Sequence, residues 1–190
     1  MAAVSRIVEE AGNGKVEIFP LPTGADFLFD LCKLLFEKHW HEIVFGSCVQ
    51  GAVFEIAVDR APKKVVLFDG YLTVDFGRWH FHLCIGENRG TPRHPTPPEL
   101  ARHRRTARAE LYRGLRDDGA PRSWGLRLFN GAGEQQMTVF LPNPLLTPDM
   151  KPARPPDFSR LALWDELRRV CLGLDPDPLD RTAEGFPCGG

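Results

Sequence analysis

The chain has 190 residues, of which 43 % are apolar, and its formal net charge is -1. This length and composition predict a normal hydrophobic core in one domain over residues 1–190, with a loose tail over residues 175–190. The nearly balanced charge gives no overall attraction to nucleic acid or to an acidic membrane surface. The sequence therefore excludes both as expected partners.

The cysteine pattern and the missing motifs narrow the class further. Five cysteines at irregular spacing, with no Cys-x-x-Cys pair, argue against a disulfide framework or a closed zinc site. No run of eighteen apolar residues and no leader-like N-terminus is seen, so we predict a cytoplasmic protein. The chain also lacks the glycine-rich phosphate loops, the Gly-x-Ser-x-Gly turn and the His-Glu-x-x-His helix, which excludes nucleotide-dependent and serine-hydrolase chemistry.

The first half of the chain predicts one strand, one helix and then a series of short strands. Residues 15–19 form the strand, and Phe27, Leu31, Leu34 and Leu35 recur at helical spacing in a helix that ends near His39. Short connections between the following strands favour an antiparallel meander. Its strands are predicted over residues 43–49, 52–58, 64–68, 71–76 and 79–85.

The second half predicts a surface loop over residues 88–98 and a short helix through His103. Residues 106–115 fit either a helix or a strand. Residues 124–129 and 135–141 predict a hairpin across Asn130-Gly131-Ala132-Gly133, and a proline-rich link leads to a final amphipathic helix. The fold class is therefore α+β, with an antiparallel β-sheet flanked by N-terminal and C-terminal helices.

The strand over residues 79–85 carries the strongest chemical signal. Successive side chains of a strand point to opposite faces, so His80, His82 and Cys84 share one face while Trp79 and Phe81 lie on the other. Residues two apart on a strand are roughly 6.5 Å apart, a distance that two imidazoles close around one ion or beside one haem. The alternative is an ordinary polar surface with core packing behind it.

Three further groups are candidates for the same site. His41 or Glu42 would complete a ligand set with His80 and His82, as an open mononuclear iron, copper or zinc site requires. Trp79 is a candidate to stack on a macrocycle. The basic run that contains Arg104, Arg105 and Arg108 is either a solvated face or an edge that binds propionates.

The predicted hairpin over residues 125–141 has the sequence Gly-Leu-Arg-Leu-Phe-Asn-Gly-Ala-Gly-Glu-Gln-Gln-Met-Thr-Val-Phe-Leu. This hairpin resembles the late hairpin of haem-utilisation proteins of the HemS, ChuX and HutX type. The order of elements is also similar. The resemblance implies a cytoplasmic haem-binding or haem-trafficking protein, often a homodimer, with some relatives that degrade haem to release iron. It implies haem against the sheet, held by histidine, with arginine near its propionates; His80 and His82 are candidates by chemistry and approximate location, because the residues around them do not match the family.

Three functions follow as hypotheses. The first is a cytoplasmic protein that binds haem or a small tetrapyrrole for iron utilisation or trafficking, with His80 or His82 on the iron. The second is a non-haem mononuclear metalloenzyme that uses the two histidines, Glu42 or His94 and an iron, copper or zinc ion. The third is a metal-free dimerising scaffold. Whether bound haem is carried, stored or cleaved stays open, and Cys188-Gly189-Gly190 is expected to be a frayed end.

Overall fold

The structure, a computed structural model, describes residues 5–49 and 51–185, so Cys188-Gly189-Gly190 lies outside the described residues. The sequence predicts one domain, and the chain divides into two compact units. The first unit comprises Met1–Leu21, Glu110–Leu126 and Phe140–Gly190, and the second comprises Pro22–Ala109 and Arg127–Val139. Within the described ranges, no helix has the length and apolar character needed to cross a membrane.

The N-terminal elements are a hairpin and a helix. Strand β1 (Arg6–Glu10), which the sequence analysis missed, pairs antiparallel with β2 (Gly14–Leu21). Helix α1 (Ala25–Lys33) continues into a π-helical turn (Leu34–Lys38). The predicted helix is confirmed. Of the residues whose spacing predicted it, Leu31 and Leu35 are buried and Phe27 and Leu34 are half-buried, while Leu28 is also buried.

The last three predicted strands between residues 43 and 85 are present, two of them with shifted ends, whereas residues 43–49 form two short strands and only two residues of the range 52–58 form one. The strands of this region are β3 (Val44–Gly46), β4 (Cys48–Val49), β5 (Ala52–Val53), β6 (Lys64–Phe68), β7 (Tyr71–Asp75) and β8 (His80–Cys84). The last three form an antiparallel sheet in the order β6-β7-β8, as the meander predicts. A two-stranded ribbon, β9 (Gly90–Thr91) and β10 (His94–Pro95), then precedes α2 (Pro98–Arg104).

Residues 106–115, whose sequence fits either a helix or a strand, form a strand. It is β11 (Thr106–Leu115), followed by β12 (Pro121–Asn130) and β13 (Gln135–Phe140). The order β1-β2-β11-β12-β13-β3 forms a six-stranded sheet, in which β11 has a strand on each side. The hairpin between β12 and β13 is confirmed, with Asn130 accepting hydrogen bonds from the backbone N–H groups of Ala132 and Glu134. The α+β class with antiparallel sheets is therefore confirmed.

The C-terminal segment contains the predicted helix and an ordered stretch beyond it. A 3-10 turn (Phe158–Leu161), α3 (Ala162–Leu167) and a π-helical turn (Arg168–Leu172) follow each other directly. The sequence predicts a loose tail over residues 175–190, and the structure differs from this over residues 175–185. A second 3-10 turn (Pro178–Arg181) lies there, and its Asp180 is 0 % exposed. The apolar pattern gave no signal for this turn, since its anchor is a buried carboxylate.

Asp180 is the acceptor of a buried polar network within the first unit. Its Oδ1 accepts hydrogen bonds from Arg113 Nη1 at 2.9 Å and from Trp124 Nε1 at 2.8 Å, and its Oδ2 accepts one from Trp164 Nε1 at 2.7 Å. Arg113, 3 % exposed, also donates from Nε to Glu17 at 2.7 Å. These hydrogen bonds hold the tail in place. Removing one side chain of the network would leave the remaining buried charges and N–H groups without a partner, which is costly.

We predict that Asp180→Ala lowers the free energy of unfolding by about 3 to 5 kcal/mol, the range for breaking one side of a buried ion pair. Two indole N–H groups lose their acceptor at the same time. Urea unfolding followed by circular dichroism measures the change. The exposed Asp117→Ala is the control and should stay within about 0.5 kcal/mol of the parent; a similarly small effect of Asp180→Ala would contradict the assigned anchor.

Candidate functional site

The candidate site lies in the second unit, on the outward face of the sheet β6-β7-β8. The pairing register sets Thr73 opposite His82 and Asp75 opposite His80, and directly paired residues of antiparallel strands point to the same face. The opposite face carries the buried Leu72, Val74 and Leu83. The sheet therefore buries one side and presents the other, as the alternation in residues 79–85 predicts. The outward side chains include Val66, Phe68, Tyr71, Thr73, His80, His82 and Cys84.

The two histidines are neighbours on this face and both are exposed. Their ring centroids are 4.9 Å apart with an angle of 69° between the planes. Nδ1 of His82 lies 2.8 Å from Oγ1 of Thr73. When Nδ1 carries the proton, it donates to Thr73 and leaves the lone pair of Nε2 for another ligand, which is the usual arrangement of an iron-binding or zinc-binding histidine.

A shallow depression of about 350 Å³ lies beside His82. Phe68, 81 % exposed, forms part of its wall and offers an apolar ring to a ligand. The lining thus combines an aromatic ring, an imidazole and several hydrogen-bonding groups. Its residues are Phe68, Asp69, Tyr71, Thr73, His82 and Asn88.

The turn Asp69-Gly70 builds one end of the depression. Both residues have positive φ, 46° and 78°, which is the two-residue hairpin turn that Asp-Gly favours. A side chain at position 70 would also lie only 2.6 Å from the backbone of Glu87, so glycine is required there on two grounds. The backbone carbonyl of Gly70 accepts hydrogen bonds from Ile85 and Gly86, which brings the segment after β8 against this turn.

The Asp69 carboxylate holds the next loop in place. It accepts hydrogen bonds from the backbone N–H of Arg89 at 2.7 Å, from that of Gly90 at 3.0 Å and from Asn88 Nδ2 at 2.7 Å. The Arg89 hydrogen bond is the largest cause that lowers the pKa of Asp69 below 3.8. The ionised carboxylate therefore fixes Asn88 at the edge of the depression.

Asn88 connects this depression to a basic one. Its Oδ1 accepts from Thr96 Oγ1 at 2.9 Å and from Arg104 Nη1 at 3.3 Å. A second depression of about 520 Å³, also lined by Asn88, contains Arg89, Arg102 and Arg105 against the single carboxylate of Glu87. The predicted Arg104 and Arg105 are thus brought near the histidine face.

Cys84 faces the same way as the histidines but is buried. Burial is the largest cause that raises the pKa of its thiol above 9.0, although Arg104 acts in the opposite direction. A thiol in this state remains protonated at neutral pH. It is consequently a poor match for the thiolate ligand that the sequence analysis considered.

The other predicted residues lie elsewhere in the second unit. Trp79 stacks on Phe76, with centroids 4.5 Å apart, and lines a separate depression. Arg108 lies over the ring of Phe129 at 3.4 Å from its centroid.

His41 and Glu42 form a cluster of their own. Glu42 Oε1 is 2.8 Å from His39 Nδ1 and 3.7 Å from His41 Nε2. Across residues 5–49 and 51–185, no group of three or more His, Cys, Asp or Glu side chains is placed to hold a metal ion. The structure therefore does not bring His41 or Glu42 together with the two histidines of β8.

Sequence reasoning missed Phe68, Thr73 and Asn88. Phe68 and Thr73 could have been predicted from the sequence. The Asp-Gly turn sets Phe68 opposite Tyr71, and alternation then places Thr73 on the same face. Asn88 carried no signal, since its role depends on hydrogen bonds with residues 8 to 19 positions away.

Residues 5–173 match the model of DUF7676, a family of unknown function, and the chain belongs to this family. No curated protein matches the chain. Among solved structures, the crystal structure of ChuX is similar at 13 % sequence identity with a TM-score of 0.41, over 78 % of this chain and 74 % of that chain. This score does not establish a shared fold, so the site has to be interpreted from its own chemistry.

We predict that the Arg89 and Gly90 amide signals follow the ionisation of Asp69. The folded state lowers the pKa of this carboxyl, so the hydrogen bonds persist above pH 3.8 and are lost as pH falls through the lower, folded-state pKa. In an NMR titration the two amides should shift with a midpoint below 3.8. Asp69→Asn, which tolerates the positive φ, should abolish this transition and speed amide exchange at both positions.

Asp59→Asn, at another exposed carboxylate of the same unit, is the matched control and should leave both amides unchanged. A midpoint at or above 3.8 would show that Asp69 does not hold the loop.

Proposed function

We propose that the outward face of the sheet β6-β7-β8 binds haem or a related tetrapyrrole. The observation that carries the proposal is the placement of His82, paired with Thr73, in a depression that shares Asn88 with a depression lined by three arginines. Iron ligation, aromatic contact and carboxylate pairing are the three demands of this ligand, and the residues present fit each of them. A role in cytoplasmic iron utilisation or trafficking, and a homodimer, are parts of the proposal that the family resemblance implies.

His82 is the proposed iron ligand. When Nδ1 of His82 carries the proton, it donates a hydrogen bond to Thr73 Oγ1, which sets the ring orientation and leaves Nε2 as the atom that would bind iron. His80, with its ring centroid 4.9 Å away, is the second imidazole on this face and the alternative ligand. If haem is bound, its iron would accept the lone pair of a histidine nitrogen, and the porphyrin would supply a visible chromophore.

Phe68 and Tyr71 would contact the apolar part of the macrocycle. Phe68 exposes most of its ring to water. Covering this ring would stabilise the complex by roughly 25 cal/mol for each Å² of apolar surface removed from solvent. The depression is open, so the ligand would lie against the sheet and remain partly exposed.

Arg89, Arg102 and Arg105 would pair with the carboxylates. Guanidinium groups match carboxylate geometry with two parallel hydrogen bonds. Arg89 already pairs with Glu87 at 2.9 Å, so Arg102 and Arg105 are the better candidates. Arg104 acts indirectly, because it donates to Asn88 between the two depressions.

We predict that hemin, added to the purified protein, gives a Soret band that saturates near one equivalent. His82→Ala should shift this band and weaken binding by at least about tenfold, equivalent to about 1.4 kcal/mol, because it removes the axial donor. His80→Ala should have a smaller effect. Absorbance titration of the parent and the two variants measures both.

His94→Ala, at an exposed histidine of β10 that lines neither depression, is the matched control for adhesion of hemin to surface histidines. Equal affinity of His82→Ala and the parent would contradict the proposal. A tightly held iron, copper or zinc ion without a Soret band would favour the non-haem metalloenzyme, and a stable dimer with neither would favour the scaffold.

We further predict that the double variant Arg102→Gln, Arg105→Gln weakens hemin binding about tenfold while the Soret maximum stays at its position, because the carboxylate contacts are lost and the iron ligand is kept. The same titration measures affinity and band position separately. Arg169→Gln, at an exposed arginine of the first unit, is the control. A shifted maximum in the double variant would instead place these arginines next to the iron.

A further inference from the structure

A separate depression in the second unit, which the proposed function does not use, lies against Trp79. Its volume is about 300 Å³, at the lower end of the range for small-molecule sites. An apolar aromatic wall meets charged side chains at this point. The residues that matter are Ile56, Asp59, Arg60, Phe76, Arg78 and Trp79.

The aromatic wall is flat and supported from behind. The rings of Trp79 and Phe76 stack with centroids 4.5 Å apart and 23° between their planes, and Phe45 stacks on both at 6.4 Å. Phe76 and Phe45 are buried, while Trp79 keeps 38 % of its surface exposed. The open surface of Trp79 is therefore a rigid platform for another planar ring.

The charges beside this platform leave a surplus of positive charge. Arg60 binds Asp59 through two hydrogen bonds, of 2.9 Å and 2.8 Å. These bonds are the main reason for the lowered pKa of Asp59, and Arg78 lies close enough to lower it further. Within residues 5–49 and 51–185, the Arg78 guanidinium makes no hydrogen bond or ion pair, and the Trp79 indole N–H has no acceptor.

We propose that this depression binds a small planar aromatic carboxylate, with its ring on Trp79 and its carboxylate on Arg78. The apolar ring of such a ligand would stack on Trp79. Its carboxylate would pair with the Arg78 guanidinium, which makes no ion pair within residues 5–49 and 51–185. Ile56, 36 % exposed, also lines the depression and adds apolar surface to it.

The test is a calorimetric titration of the whole protein with naphthalene-2-carboxylate. Saturable binding is expected, with at least a tenfold loss in Arg78→Gln and in Trp79→Ala. The neutral naphthalene-2-carboxamide should bind at least tenfold more weakly than the acid, because it offers no charge to Arg78. Arg93→Gln, at an exposed arginine outside the depression, is the matched control, and circular dichroism verifies that each variant is folded.

Absence of saturable binding overturns the proposal, and so does equal affinity for the acid and the amide. A dimer in sedimentation experiments that Trp79→Ala dissociates, without any naphthoate binding, would identify a second copy of the chain as the occupant and would likewise overturn it. Hemin titration of Trp79→Ala reports independently on the histidine face.

Discussion

The register between β7 and β8 is the constraint on which the candidate site depends. One residue of slip would turn His80 and His82 toward the buried side and expose Leu83 in their place. The buried Leu72, Val74 and Leu83 resist this slip because it would expose their apolar surface. The core of the sheet and the chemistry of its outer face are therefore set by the same alternation.

Asp69 extends this site beyond the sheet. A single carboxylate at a hairpin turn accepts hydrogen bonds from two backbone amides and from Asn88, and Asn88 in turn accepts from Arg104. These hydrogen bonds give the loop one defined position. The basic depression and the histidine depression consequently meet at a common residue.

Trp79 and His80 are adjacent in sequence yet belong to different surfaces. Alternation separates them, so that the histidine face combines imidazole with exposed Phe68, and the other side combines Trp79 with Arg78. A ligand of either surface would meet aromatic side chains and a cationic edge. The two surfaces differ in that only the first offers an imidazole nitrogen.

The sequence by itself determined the α+β class, the helix after residue 24, the strands β6 to β8 and the shared face of His80, His82 and Cys84, because periodicity and turn residues are local properties. It did not decide between helix and strand for residues 106–115, where both faces of β11 are largely buried and the alternation is masked. Only the tertiary structure placed Arg104 against Asn88, separated His41 and Glu42 from β8, and buried Asp180 against two tryptophans. These outcomes depend on hydrogen bonds and ion pairs between residues far apart in the chain, which no local pattern encodes.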